Sequence, residues 1–155
     1  MRDILQKEVE RLSPYYETKQ ALMLPVLRKI QQANGYISPE SEKMVAELLD
    51  VPLVKVREVT SFYNFFRDKP VGKKRISMCR TTSCWLRGGE EIANYIMEKL
   101  GIGEGETTPD GQFSYESVEC LCACENAPML SINDRYFGPL NIERVDQILE
   151  AEGKA

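Results

Sequence analysis

Five cysteines carry the clearest chemical signal in this chain of 155 residues. Cys79 and Cys84 have four residues between them, and 35 further residues separate this pair from the alternating Cys120, Cys122 and Cys124. The chain contains no histidine, which excludes mixed cysteine–histidine zinc sites, Rieske clusters and histidine-assisted nucleophiles. Metal or redox chemistry on this chain therefore falls to thiolates.

Two cysteine pairs on two loops suit a [2Fe–2S] cluster, because each iron of such a cluster takes two thiolates. Cys79 ends one predicted strand and Cys120 ends another, and loops that follow strands of one sheet can lie side by side. The small polar residues between Cys79 and Cys84 leave backbone N–H groups free to point at sulfur. The helix predicted after Cys84 adds the positive end of its dipole, and both features favour an anionic centre.

Other readings of the cysteines stay open at this level. A structural zinc site with four cysteine ligands tolerates the same spacing, and free cysteines also pack readily in protein cores. A dithiol redox site is disfavoured because the sequence has no C-x-x-C. Within the second group, Cys120 can pair with Cys124, or Cys122 can replace one of them as a ligand.

The composition indicates a soluble globular protein, with 43% apolar residues, 28% charged residues and a net charge of −4. The negative charge argues against nucleic acid and anionic membrane surfaces as partners. The apolar run "ALMLPVL" is too short for membrane insertion, and the chain opens without a secretory signal, so we expect a cytoplasmic protein. No nucleotide-binding loop is recognisable: "GIGEG" follows a predicted helix, whereas a Rossmann loop follows a strand.

The chain divides at "RDKPVGKK", a polar stretch with proline and glycine. Residues 1–70 carry helical periodicity and predict a helical bundle that we expect to dock on a partner. Residues 71–155 predict the order βαβββα, with a hairpin around Asn133-Asp134. The acidic residues concentrate in the second half, where residues 73–155 have 14 Asp and Glu against 9 Lys and Arg.

Several aromatic and basic side chains near these features have expected roles. The stretch "SFYNFF" is expected to pack in the core with Phe62 inward, a docking surface being the alternative. Trp85 is expected to shield the site from water, with contact to a partner as the alternative. Arg80 and Arg87 are close in sequence to the first cysteine pair and can offset negative charge there, unless both are solvated.

Four stretches of the sequence resemble the signatures of a known family: "ALMLPVLRKIQQANGYIS", "VAELLDVPLVKVREVTSFYNFF", "CRTTSCWLRGG" and "CLCACENAPMLSIND". The family is the small iron–sulfur subunit of the NADH-oxidising module of respiratory complex I, also found in NAD-linked hydrogenases and formate dehydrogenases. The resemblance implies an α+β fold, with a small helical N-terminal domain followed by a thioredoxin-like [2Fe–2S] ferredoxin domain. The family's ligand pattern falls on Cys79, Cys84, Cys120 and Cys124, and the sequence departs from it at Cys122, where members commonly have glycine.

The resemblance also implies a function, namely electron transfer within an NADH:quinone oxidoreductase. One [2Fe–2S] cluster would exchange single electrons with the flavin of a larger partner subunit, which alone would hold FMN and NAD(H). The chain itself would have no catalytic residue and no independent active site, and would lie in the cytoplasmic, peripheral arm of a membrane-bound complex. One alternative is the equivalent subunit of a hydrogenase or formate dehydrogenase, and another, of a different class, is a structural four-cysteine zinc module.

Overall fold

The computed structural model describes residues 1–133 and 135–153, which form two compact units. The first unit comprises Met1–Pro70 and the second begins at Val71. Within the described residues no helix has the length and apolar character that crossing a bilayer requires.

The first unit consists of four α-helices and two short 3₁₀ turns. The helices are α1 (Arg2–Leu12), α2 (Met23–Asn34), α3 (Pro39–Leu49) and α4 (Leu53–Phe62). Their ends follow the local sequence: Gly35 terminates α2 in the left-handed conformation, and the Ser38 hydroxyl accepts a hydrogen bond from the Ser41 N–H at the start of α3. The helical prediction for this half is therefore confirmed.

The core of the first unit takes apolar residues from all four helices, including Leu5 of α1, Leu27 of α2, Val45 of α3 and Val56 of α4. The prediction that Phe62 points inward is wrong, because its side chain is 76% exposed. Helix α4 ends at Phe62 and the next residue is extended, so the helical periodicity stops there. The rings of Tyr63, Phe65 and Phe66 pack against one another, and the mostly exposed Phe62 contacts the Tyr63 ring edge-on.

The second unit is a four-stranded mixed sheet with three α-helices. The strands are β1 (Lys74–Cys79), β2 (Phe113–Val118), β3 (Leu130–Ile132) and β4 (Arg135–Phe137), and the helices are α5 (Thr82–Leu86), α6 (Gly89–Leu100) and α7 (Ile142–Gly153). The sheet order is β2-β1-β3-β4, with β1 and β2 parallel and the other pairs antiparallel. The predicted order of elements is confirmed, apart from the additional short helix α5.

Alternating residues of the strands form one apolar face that packs with α6 and α7. Ile76, Tyr115 and Leu130 come from β1, β2 and β3, while Ile96 comes from α6 and Val145 from α7. Strands β3 and β4 form the predicted hairpin. The predicted turn includes Asp134, which lies outside the described residues.

Candidate metal centre

Strand topology brings the two cysteine-bearing loops to the same edge of the sheet. Strands β1 and β2 are parallel neighbours, and Cys79 at the end of β1 lies opposite Val118 at the end of β2. The Arg80 N–H donates a hydrogen bond to the Val118 carbonyl at 3.0 Å, just beyond the last paired residues. The loops after the two strands therefore leave in the same direction, as predicted, although β2 ends two residues before Cys120.

The first cysteine pair is buried. Cys79 is 3% exposed and Cys84 is 1% exposed, and both contribute to a small apolar cluster with Ala123, Ala127 and Met129. Cys84 lies within the short helix α5, and the helix predicted to follow it is α6, whose first residue, Gly89, approaches Cys84 closely. That approach requires glycine: a Cβ at residue 89 would lie 2.7 Å from the Cys84 carbonyl oxygen.

The pKa values of the two buried thiols shift in opposite directions, because each sulfur has different hydrogen-bonding neighbours. Burial raises the pKa of Cys79, but hydrogen bonds from the Thr81 side chain and N–H, the Leu121 N–H and the Cys84 thiol together bring that pKa below its usual value. Burial raises the pKa of Cys84 to about 11, and donation of its S–H to Cys79 adds to the effect. Cys79 is therefore the more acidic thiol of this pair, and Cys84 holds its proton more tightly.

The second cysteine group lies on an exposed loop. Cys120, Cys122 and Cys124 are all exposed, and Cys124 begins a 3₁₀ turn that ends at Asn126. Cys122 has a φ of 59°, and its N–H donates a hydrogen bond to the Cys120 sulfur at 3.2 Å. Donation of the Cys122 S–H to Cys120, together with the charge of Cys120, raises the pKa of Cys122. The left-handed backbone turns the chain sharply between Cys120 and Cys124.

Several contacts hold the two loops together. The Cys79 N–H donates to the Met129 carbonyl at 3.2 Å, and the backbone of Leu121, from the second loop, is close enough to Cys79 to lower the pKa of its thiol. The Arg87 guanidinium donates to the Ala127 carbonyl at 3.4 Å, after the second loop. Gly138 has no room for a side chain, since a Cβ there would overlap the carbonyl oxygen of Asn126. The loops are thus packed against each other through backbone groups.

The structure brings the predicted ligands together to different degrees. Cys79 and Cys84 are close enough to shift each other's pKa, and the pKa of Cys84 also responds to Cys124, whereas the Cys122 N–H donates to the Cys120 sulfur. Across residues 1–133 and 135–153, no three cysteine or acidic side chains converge closely enough to enclose a metal ion. Cys79 and Cys84 therefore already lie close together. The second loop lies beside this pair, but its cysteines do not converge with the pair on one point where a metal ion could bind.

The donor chemistry of these loops fits a [2Fe–2S] cluster. The two loops contribute five thiols, the Cys122 N–H donates to the Cys120 sulfur, and the Thr81 hydroxyl lies 3.3 Å from the Cys79 sulfur. N–H···S hydrogen bonds of this kind stabilise anionic sulfur and are one of the factors that set the potential of an iron–sulfur centre. A zinc site with four thiolates shares the donor set, so the residues alone do not separate the two metals.

The charged and aromatic neighbours have roles that the sequence predicts only in part. Arg80 forms an exposed ion pair with Glu119, so its charge is compensated locally, while Arg87 bonds the backbone at Ala127. Trp85 is 58% exposed, which favours contact with a partner over shielding of the site. Its indole N–H donates to the Glu90 carboxylate at 3.1 Å.

Two positioning residues are not identified by the sequence reasoning: Gly89 and Gly138 permit close backbone approaches beside Cys84 and Asn126. Thr81, one of the small polar residues expected to act on sulfur, has its hydroxyl 3.3 Å from the Cys79 sulfur. Gly89 belongs to the "RGG" at the end of one quoted signature, which is the only signal that points to it. Gly138 lies far from the cysteines in sequence and becomes recognisable only when β4 returns along β3.

Comparison with known proteins places this geometry in a family. The model of the thioredoxin-like [2Fe–2S] ferredoxin family matches residues 9–152. NADH-quinone oxidoreductase subunit 2 of Thermus thermophilus is 41% identical over 136 residues, covering 88% of this chain and 74% of that protein. A subunit of the NADH-quinone oxidoreductase of Rickettsia bellii is 42% identical over 135 residues, covering 86% of this chain and 81% of that protein.

A solved structure supports the fold. An NAD+-reducing [NiFe]-hydrogenase in the air-oxidised state aligns with a TM-score of 0.73 and 21% identity, over 86% of this chain and 23% of the hydrogenase chain. At this identity the likeness concerns the fold alone. With the family match over nearly the whole chain and relatives above 40% identity, this chain belongs to the thioredoxin-like [2Fe–2S] ferredoxin family.

Proposed function

We propose that this chain is the electron-transfer iron–sulfur subunit of an NADH:quinone oxidoreductase and holds one [2Fe–2S] cluster on Cys79, Cys84, Cys120 and Cys124. The observation that carries the proposal is the parallel pairing of β1 and β2, which places Cys79 opposite Val118 and sends both cysteine loops out from the same edge of the sheet. Leu121, which follows Cys120 directly, is close enough to Cys79 for its backbone to lower the pKa of that thiol. The family match supports the choice of an iron–sulfur cluster over zinc.

A bound [2Fe–2S] cluster would supply reversible one-electron transfer without bond-making on a substrate. The chain's own residues prepare for it: the lowered pKa of Cys79 favours loss of its proton, while Cys84 must release the proton that its raised pKa retains. The Cys122 N–H keeps a hydrogen bond on the Cys120 sulfur, and the Thr81 hydroxyl lies 3.3 Å from the Cys79 sulfur. Gly89 allows α6 to close over Cys84 and limits access of water to that side.

The names of the relatives indicate the parent complex. Proteins that are 41% and 42% identical are subunits of NADH-quinone oxidoreductases, whereas the hydrogenase match shares only the fold. We therefore propose a larger partner subunit that binds FMN and NAD(H) and exchanges electrons with this chain. The chain would then have no NADH dehydrogenase activity by itself and would lie in the cytoplasmic, peripheral arm of the complex.

Cys122 is excluded from the proposed ligand set on local grounds. Its N–H donates to the Cys120 sulfur, and its left-handed backbone turns the chain between Cys120 and Cys124. Both features place Cys122 as the residue around which the loop turns. A small residue suits this turn, and members of the family that the sequence resembles commonly have glycine at this position.

Substitution of each cysteine by alanine, followed by anaerobic purification, tests the proposal. Iron, acid-labile sulfide, zinc and the paramagnetic signal of the reduced protein are measured for every variant. We expect Cys122→Ala to retain a near-full cluster, and Cys79→Ala, Cys84→Ala, Cys120→Ala and Cys124→Ala to lose or destabilise it. Wild-type protein that contains zinc without iron contradicts the proposal, as does cluster loss in Cys122→Ala with retention in Cys124→Ala.

A further inference from the structure

A shallow groove lies on the outer side of α6, next to the helix that carries Cys84. It encloses about 660 Å³, and its lining residues are Trp85, Gly88, Glu90, Glu91, Asn94, Tyr95, Glu98 and Ile142. Trp85 is 58% exposed and Ile142 is 40% exposed, and Leu86 beside Trp85 is 70% exposed. Large apolar side chains grouped on an otherwise acidic unit mark this surface as a contact site.

The lining of the groove has one sign of charge. Glu90, Glu91 and Glu98 contribute three carboxylates, and among the residues that the structure describes no lysine or arginine lines the groove. Glu90 accepts the Trp85 N–H, whereas the carboxylates of Glu91 and Glu98 have no hydrogen bond or ion pair within residues 1–133 and 135–153. The groove therefore presents uncompensated negative charge next to exposed aromatic surface.

Nearby basic side chains are engaged elsewhere and do not neutralise this charge. Arg80 pairs with Glu119, and Arg87 donates to the Ala127 carbonyl. Lys99, one residue beyond Glu98, is bound to Asp146. The charge of the groove is therefore complementary to a basic group from another molecule.

The groove also leads toward the proposed metal centre. Trp85, Glu90 and Asn94 line both the groove and a second cavity of about 300 Å³, and Cys79 lines that inner cavity. A molecule seated on Trp85 would cover the approach to the inner cavity and lie close to the first cysteine pair. Electron transfer slows steeply with distance, so a redox partner benefits from contact at this position.

We propose that this groove binds an arginine-containing segment of the flavin-binding partner subunit, with a guanidinium on Trp85 between Glu91 and Glu98. The inference rests on the proposed function for the identity of that partner. Arginine suits the site because its planar group stacks on an indole and pairs with carboxylates. A second copy of this chain fits less well, since its corresponding unit carries the same excess of acidic residues.

Binding of the iron-loaded, full-length chain to the flavin-binding subunit of the same organism tests the proposal, with the dissociation constant measured by calorimetry at low and high salt. We expect the double variant Glu91→Gln/Glu98→Gln to raise the dissociation constant about fivefold at low salt, with a smaller effect at high salt. Trp85→Ala is expected to raise it about tenfold or more at both salt concentrations. The matched control is Glu150→Gln, an exposed acidic residue on α7, which should change it by less than about twofold.

The proposal is overturned if the double variant binds the partner as tightly as wild type, if Glu150→Gln weakens binding as much as the double variant does, or if the wild-type chain does not bind the partner. It is also overturned if the chain sediments as a dimer that Trp85→Ala dissociates, because the groove is then occupied by a second copy. Iron content and the reduced-state signal are measured on the same samples. These values report on the cluster independently, so a failed docking site is distinguishable from a failed cluster assignment.

Discussion

Cys122 combines a side chain that carries a thiol with a backbone conformation that glycine adopts most easily. Its φ of 59° lies in the left-handed region, where a Cβ approaches the following carbonyl oxygen. The same residue supplies the N–H that bonds the Cys120 sulfur. The backbone of residue 122, and not its thiol, is therefore the part that the loop uses.

We predict that Cys122→Gly stabilises the reduced, metal-free chain by about 0.5–1 kcal/mol and leaves the iron content unchanged. Glycine removes the strain of the left-handed conformation, although part of the gain is offset by the greater freedom of the unfolded chain. Urea denaturation under reducing conditions measures the difference. Cys122→Ala is the matched control, because it removes the thiol but keeps a Cβ, and it should show no gain. Loss of iron in both variants would identify Cys122 as a ligand instead.

At the scale of elements, the packing of β4 against the second cysteine loop depends on Gly138. A Cβ at this position would overlap the Asn126 carbonyl oxygen, which is a backbone atom and cannot rotate away. The turn that begins at Cys124 would have to move away from the sheet. Gly138 therefore holds one proposed ligand in place from a distance of 14 positions in the sequence.

We predict that Gly138→Ala lowers the iron content of the purified chain to well below that of wild type while the second unit remains folded. Gly103→Ala is the matched control, because its Cβ would meet only the flexible Glu106 carboxylate, at 3.4 Å. Iron analysis and circular dichroism of both variants provide the comparison. Full iron content in Gly138→Ala would show that the loop accommodates a methyl group and that the cluster does not depend on this contact.

Helix α7 is attached to the sheet by the carboxylate of Glu152. The Glu152 side chain is 9% exposed. One carboxylate oxygen lies 3.0 Å from the Lys74 ammonium of β1, and the other lies 2.7 Å from the Arg135 guanidinium of β4. The Lys74 hydrogen bond, with further attraction from both basic groups, holds the pKa of Glu152 below its usual value. A carboxylate whose pKa is lowered by folding contributes stability above its usual pKa, and this contribution is lost as the pH falls through the lower, folded value.

We predict that Glu152→Gln lowers the free energy of unfolding by about 1–2 kcal/mol at neutral pH, because two basic groups lose a charged acceptor. The difference between wild type and variant should shrink as the pH falls below about 4.5, where the wild-type carboxylate becomes protonated. Urea denaturation at neutral and acidic pH measures both values. Glu150→Gln, on the exposed side of the same helix, should stay within about 0.5 kcal/mol of wild type at each pH. A difference that is constant with pH would exclude the ionised carboxylate as its source.

The sequence predicts the elements well where periodicity and end signals agree. Ser38 and Gly35 mark helix ends, and alternation in β1 and β2 predicts two strands whose following loops carry cysteines. It fails where a neighbour in space decides the outcome. The outward position of Phe62 depends on where α4 stops, and the close approach of α6 to Cys84 depends on the absence of a side chain at Gly89.

For the candidate site, the sequence identifies the cysteines but not their supports. Alternating spacing predicts a turn near Cys122, but the left-handed conformation of that residue becomes evident only from its φ. Leu121 acts on Cys79 through its backbone, which every residue possesses, so no side-chain pattern can reveal it. The contact of Gly138 with Asn126 joins two loops that are remote in sequence until the hairpin forms.

At the scale of the whole molecule, the two units have separate apolar cores. One core is drawn from the four helices before Pro70, and the other from the sheet together with α6 and α7. All five cysteines and the acidic groove belong to the second unit. The proposed division assigns the cluster to the second unit and gives the helical unit, with its exposed Phe62, a docking role.

We predict that a fragment beginning at Val71 folds cooperatively and binds iron and sulfide in the same ratio as the full chain, because its core contains only its own residues. Its affinity for the flavin-binding subunit should be lower than that of the full chain, because the helical unit is missing, while the Glu91→Gln/Glu98→Gln substitutions should still weaken binding. Urea denaturation, metal analysis and calorimetry measure these three properties. A colourless fragment that binds the partner as tightly as the full chain would reverse the assignment of roles. The matching fragment of residues 1–70 is the control, and it should bind no iron because it contains no cysteine.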